Sequence, residues 1–143
     1  MPPIRRDYNV PFGIDAASRQ VAGVDYAKHV EQMIFQVLFT APGERVDLPQ
    51  FGCGLRQLVF SPLSTALAVN TQITVRQALG QWLAGVIDVG DVTARTSDDP
   101  GVPPDPGGPP DPREPLDPGT LELTISYTLL DTLTTHQTQV VLP

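Results

Sequence analysis

Residues 43–60 read GERVDLPQFGCGLRQLVF, and this stretch sets the organisation of everything on either side of it. Gly43, Gly52 and Gly54 can adopt backbone angles closed to other residues, and Pro49 fixes its own φ and removes a donor. The chain from Gly43 to Gly54 is therefore expected to be a shaped, irregular segment. Glu44 and Arg45 are opposite charges held inside it, and Phe51, Leu55, Leu58 and Phe60 provide apolar anchors. Taken alone, such a segment is either a plain connector between two helices or an element that docks a partner.

Outward from it, the periodicity is helical on both sides. Upstream, from about Val24 to Phe39, Val30, Met33, Ile34, Val37 and Leu38 recur at three- and four-residue intervals, one face of an amphipathic helix. Asp25 stands at its start, and Pro42 with Gly43 ends it near Thr40. Downstream, Ser61-Pro62 or Ser64 opens a second helix running to about Ala84. Its stripe is Leu67, Val75, Ala78, Leu79 and Trp82, with Gly85 as the stop.

Beyond Gly85 the period changes to two. Val86 to Thr96 is rich in Val, Ile and Thr and reads as a strand bent at Gly90. From Leu121 to Leu130, Leu121, Leu123, Ile125, Tyr127 and Leu129 point one way, and Glu122, Thr124, Ser126 and Thr128 the other. Thr135 to Leu142 alternates again after a polar turn at Asp131 to Thr134, so the two segments predict a hairpin. Between the first strand and this hairpin, residues 98–119 read DDPGVPPDPGGPPDPREPLDPG, a Pro/Gly-rich insertion of turns and polyproline II that cannot build a core. It is expected to be an exposed loop, or else a semi-rigid arm toward a neighbouring subunit. The predicted fold class is α+β: two helices packed on a small, mostly antiparallel sheet with a C-terminal edge strand, in a single domain spanning 1–143.

The central stretch resembles the signature of the contractile-tail baseplate wedge family of myophages and contractile injection systems. That signature runs T-x-P-G-E-R, then P-x-F-G-x-x-L, then L-x-F, and Thr40, Pro42, Gly43, Glu44, Arg45, Pro49, Phe51, Gly52, Leu55, Leu58 and Phe60 fall on it. The segment from Pro11 to Gly23 is similar to the family's entry segment, and LELTISYTLL with the terminal VVLP to its last two strands. One departure is plain: the family's Glu-Pro-Arg triplet after the second helix is replaced by Leu83, Ala84 and Gly85.

The resemblance implies a structural baseplate component that links the wedge to the sheath and templates sheath assembly by strand pairing. Its partners would be sheath subunits, other baseplate wedge proteins and central tube or hub proteins, with six copies around the tube. The partner-binding residues expected are Glu44, Arg45 and Phe51 in the signature, and Gln139, Val140, Val141 and Leu142 in the last strand. There, backbone groups would supply affinity, with Val140 and Leu142 facing an apolar surface. The competing reading is a soluble regulator binding one partner protein, because the fold also resembles a bacterial anti-adaptor family.

Composition narrows the alternatives. The chain has 143 residues, 41% of them hydrophobic, enough for one domain with a core. A net charge of -7 argues against nucleic acid as a partner, because phosphate binding draws on Lys and Arg. Cys53 is the single cysteine, so no disulfide framework exists, and neither His29 nor His136 stands at a spacing that would build a metal site with it. No cofactor is expected. Arg5 and Arg6 are followed by no apolar run, and no segment reaches the roughly 20 apolar residues of a membrane span, so assembly in the cytoplasm is expected. Asp15, Asp25, His29 and Glu31 cluster near the first helix, and Asp25 with His29 four residues on could be drawn as an acid-base pair, but a solvated helical face is the simpler reading. No nucleophile, phosphate-loop or dinucleotide motif is present, and no enzymatic activity is expected.

Overall fold

The computed structural model describes residues 7–8, 13–17, 19, 23–58, 60–97 and 116–143. A two-residue pair, β1 (Asp7–Tyr8) with β2 (Gly23–Val24), precedes the helices α1 (Tyr26–Phe39), α2 (Leu55–Leu58) and α3 (Thr65–Trp82). The strands β3 (Ile87–Thr96), β4 (Leu121–Leu129) and β5 (Thr135–Leu142) follow, forming an antiparallel sheet of order β3-β4-β5. The α+β class expected from the periodicities is the one observed. The miniature pair β1-β2 and the single turn α2 carry too few residues for a period to reveal them.

Helix α1 buries Val30, Ile34, Val37 and Leu38, the face that the sequence pattern assigns to the core. Helix α3 begins where Ser64 Oγ accepts a hydrogen bond from the Leu67 amide at 3.2 Å, an ordinary serine cap. It buries Ala68, Thr71, Val75, Ala78 and Leu79, while Leu67 and Trp82 are only half-buried. Small Ala and Thr side chains on the inner face let α3 lie close to the sheet. The helix ends at Trp82, one residue before the cap Leu83, whose amide donates to the Leu79 carbonyl. Gly85 is therefore not a left-handed stop: it lies in the turn to β3 and is not among the glycines of positive φ.

The core is the space between the two long helices and one face of the sheet, where Leu121, Leu123, Ile125, Tyr127 and Leu129 of β4 meet Val30, Ile34, Val75 and Leu79. The bend in β3 is a bulge, with the register shifting between Val89 and Val92. Gly90 makes it feasible, because a Cβ there would stand 3.2 Å from the Ser126 carbonyl oxygen. Nearly all of the Pro/Gly-rich insertion lies outside the described residues. Its two ends are adjacent, with the Ser97 amide donating to the Thr120 carbonyl at 3.1 Å.

A candidate docking site in two parts

The first part is the signature loop, and its glycines have a definite task. After α1 the chain turns at Pro42-Gly43, runs out and returns so that Cys53 N–H donates to Val37 C=O and Gly54 N–H to Thr40 C=O, each at 3.0 Å. The orphan carbonyls at the end of α1 are thus satisfied by the returning strand of the loop. Gly52 lies so close that a Cβ would sit 2.0 Å from the Thr40 oxygen, at φ +97°. The Cys53 thiol points inward, donating to the Leu38 carbonyl at 3.4 Å, and burial pushes its pKa up to about 11.

The charged pair is divided between different partners. Glu44 accepts the Ala41 amide at 2.9 Å through Oε2, and Gly43 N–H closes the loop on Pro49 C=O at 2.6 Å. Arg45 lays its guanidinium 4.0 Å over the Phe51 ring and reaches Gln36 Oε1 at 3.5 Å. Phe51 in turn packs against Trp82, ring centres 5.1 Å apart. Glu44, Arg45 and Phe51 therefore tie α1, the loop and α3 together; Glu44 and Arg45 stay exposed, as do Val46, at 96%, and Leu48 beside it.

The second part is the outer edge of β5. The Leu129 amide donates to the Thr134 carbonyl, in the register that continues through the eight paired positions of the hairpin. Hydrogen-bonded pairs alternate, so His136, Thr138, Val140 and Leu142 face their amides to β4, and Thr135, Gln137, Gln139 and Val141 face theirs outward. Gln139 and Val141 thus carry exposed side chains and outward amides together. Val140 and Leu142 do not: both are buried in this chain's own core, where they hold β5 to the molecule. Their side chains are not available to a partner.

The two edges of the sheet differ. β3 is bulged, carries Asp88, Asp91 and Arg95, and has the outward carbonyl of Ala94 taken by Gln72 Nε2 of α3 at 3.5 Å. β5 lacks the sequence protections of an edge strand: THQTQVVL contains no Lys, Asp, Glu, Arg or Pro, and its register has no shift. On the open face of the sheet, Glu122 accepts from Gln139 Nε2 of β5 and lies 3.6 Å from Arg95 of β3. This row across the three strands was not legible in the sequence, where Glu122 stands on the polar side of an alternating strand. Its burial follows from β4 being central, which only the strand order reveals.

The imagined acid-base group is divided: Asp25 and Glu31 line one cleft, and His29 is not among its walls. Asp25 and His29 are joined by the ordinary helical bond, His29 N–H to Asp25 C=O at 2.9 Å, and Asp25 is exposed. Among the described residues no helix is long and apolar enough to cross a membrane, and no three His, Cys, Asp or Glu side chains gather as a metal site.

Comparison with known proteins places this geometry. A chain of the six-fold symmetrised cryo-EM structure of the anti-feeding prophage baseplate matches with a TM-score of 0.55 at 14% identity, covering 96% of this chain and 83% of that one, a likeness of fold. A crystal structure from Geobacter sulfurreducens, named as a candidate tail lysozyme, matches with a TM-score of 0.59 at 28% identity over 83% of this chain and 91% of that one. No curated protein matches. The model of the family "Baseplate wedge protein gp25" matches residues 24–134, from the start of α1 through the β4-β5 turn. This chain belongs to the gp25 baseplate wedge protein family and is a structural component of a contractile-tail baseplate.

Proposed function

We propose that the protein joins the baseplate wedge to the sheath and starts sheath growth by accepting a strand of the first sheath subunit on the outer edge of β5. The observation that carries this reading is the contrast between the two sheet edges. An eight-residue edge with four outward amides, which pair with no strand among the described residues, is an aggregation hazard unless something covers it. Strand addition would use those amides for affinity and the side chains of Gln139 and Val141 for register. The locked loop, with Val46 and Leu48 at its tip, faces the other wedge, tube or hub proteins, and six copies surround the tube. Copies of a chain at net charge -7 repel one another before assembly.

The test is a pair of variants, Gln139→Pro and Val141→Pro, each deleting one outward amide. Electron microscopy should show baseplates without extended sheaths, while circular dichroism of the purified proteins shows the helices intact. Full-length sheaths on both variants would overturn the proposal.

A further inference from the structure

The outer edge of β5 borders a cleft formed among the described residues. It lies between the first turns of α1 and the first half of β5, and is walled by Asp25, Lys28 and Glu31 on one side and Tyr127, His136 and Thr138 on the other. Asp25 and Lys28 are exposed and Glu31 is half-buried; none of the three forms an ion pair among the described residues. The Asp25 side chain makes no capping hydrogen bond to its helix. The Tyr127 phenol on this wall is held above its ordinary pKa by burial first, opposed by its hydrogen bond with Thr138, and raised further by the charge of Glu31.

A strand added to β5 would lie about 4.8 Å outboard of it, with every second side chain directed to the helix side of the sheet. Next to Val140 and Leu142 those side chains would extend an apolar surface. Next to His136 they would enter the cleft, where two carboxylates face one ammonium. Resting on the strand-acceptor reading above, we propose that β5 selects a strand of divided character: apolar on its helix-facing side opposite Val140 and Leu142, and bearing a lysine or arginine opposite His136, set between Asp25 and Glu31. An acidic residue at that position is rejected, because it would add a third carboxylate to the cleft. The cleft thus fixes the direction and register of a strand that backbone hydrogen bonding alone would leave free to slip.

The experiment uses the full chain extended beyond Pro143 by a short Gly-rich turn and an eight-residue tail. The tail carries Thr on outward positions and two Val on helix-facing positions, with either Lys or Glu at the position that reaches the cleft. A third tail, interrupted by two prolines, is the unpaired control. Tethering makes pairing intramolecular, so the melting temperature reports it. The Lys tail should melt about 2–4 °C above the Glu tail. The order should reverse in the Asp25→Lys/Glu31→Lys variant, and the difference should shrink in high salt. Equal stabilisation by the Lys and Glu tails over the proline control would overturn the charge selection and leave strand acceptance standing. No stabilisation by either tail over that control would overturn strand acceptance, and the selection with it.

Discussion

Gly52 shows how a single residue can close a fold. Its missing side chain lets the loop return against the end of α1, where a Cβ would overlap the Thr40 oxygen. Gly52→Ala should therefore cost about 3 kcal/mol or more, from a forbidden backbone angle and a backbone clash together. Chemical denaturation of the purified variant measures this. Arg45→Ala, which removes a stacked cation and an exposed 3.5 Å contact with Gln36, should cost about 0.5–1 kcal/mol. A larger loss would mean that Arg45 carries more of the loop than its stack on Phe51. Cys53 provides a pH test: with its pKa near 11, about one thiol in a hundred is ionised at pH 9. Alkylation should be slow at pH 8–9 and accelerate toward pH 11, and the sign for stability follows. The folded state holds this proton more tightly than the unfolded chain, so stability is unaffected below about pH 8.5 and falls as the pH rises through 11. At this scale the sequence was informative about backbone and silent about partners. Three glycines and a proline announced a shaped loop, but nothing in adjacent Glu44 and Arg45 told that one caps Ala41 and the other stacks on Phe51.

Among the elements, the β4-β5 hairpin combines a regular ladder with one strained residue. Leu133 sits at φ 53°, exposed in the turn, where a side chain is disfavoured. Leu133→Gly should raise stability by about 0.5–1 kcal/mol, read as a higher denaturation midpoint without a change in slope. Both strands and both long helices were legible because their apolar periods run over eight residues or more. Which strand is central was not, since alternation describes a strand's faces and says nothing of its neighbours. For the same reason Val140 and Leu142, apolar and near the C-terminus, could be expected at a partner's surface. Pairing with Leu123 and Leu121 turns them into this chain's own core.

At the scale of the whole molecule, a layer of helices covers one face of a small sheet, and among the described residues no strand pairs with the regular outer edge of β5. The Pro/Gly-rich insertion joins β3 to β4 where their ends already meet, at Ser97 and Thr120. Replacing residues 98–115 with a few Gly and Ser should thus change folding stability by less than about 1 kcal/mol, because loop closure depends weakly on length. Unchanged stability with failed assembly would identify the insertion as an arm to a neighbour. Whether a sheath strand completes the outer edge of β5 is decided by a cryo-EM map of the intact particle. The map should show a strand of the first sheath subunit about 4.8 Å from β5, bonded to the outward amides of Gln137, Gln139 and Val141. A map in which that edge faces solvent, or lies against a surface that leaves those amides unpaired, would contradict that pairing.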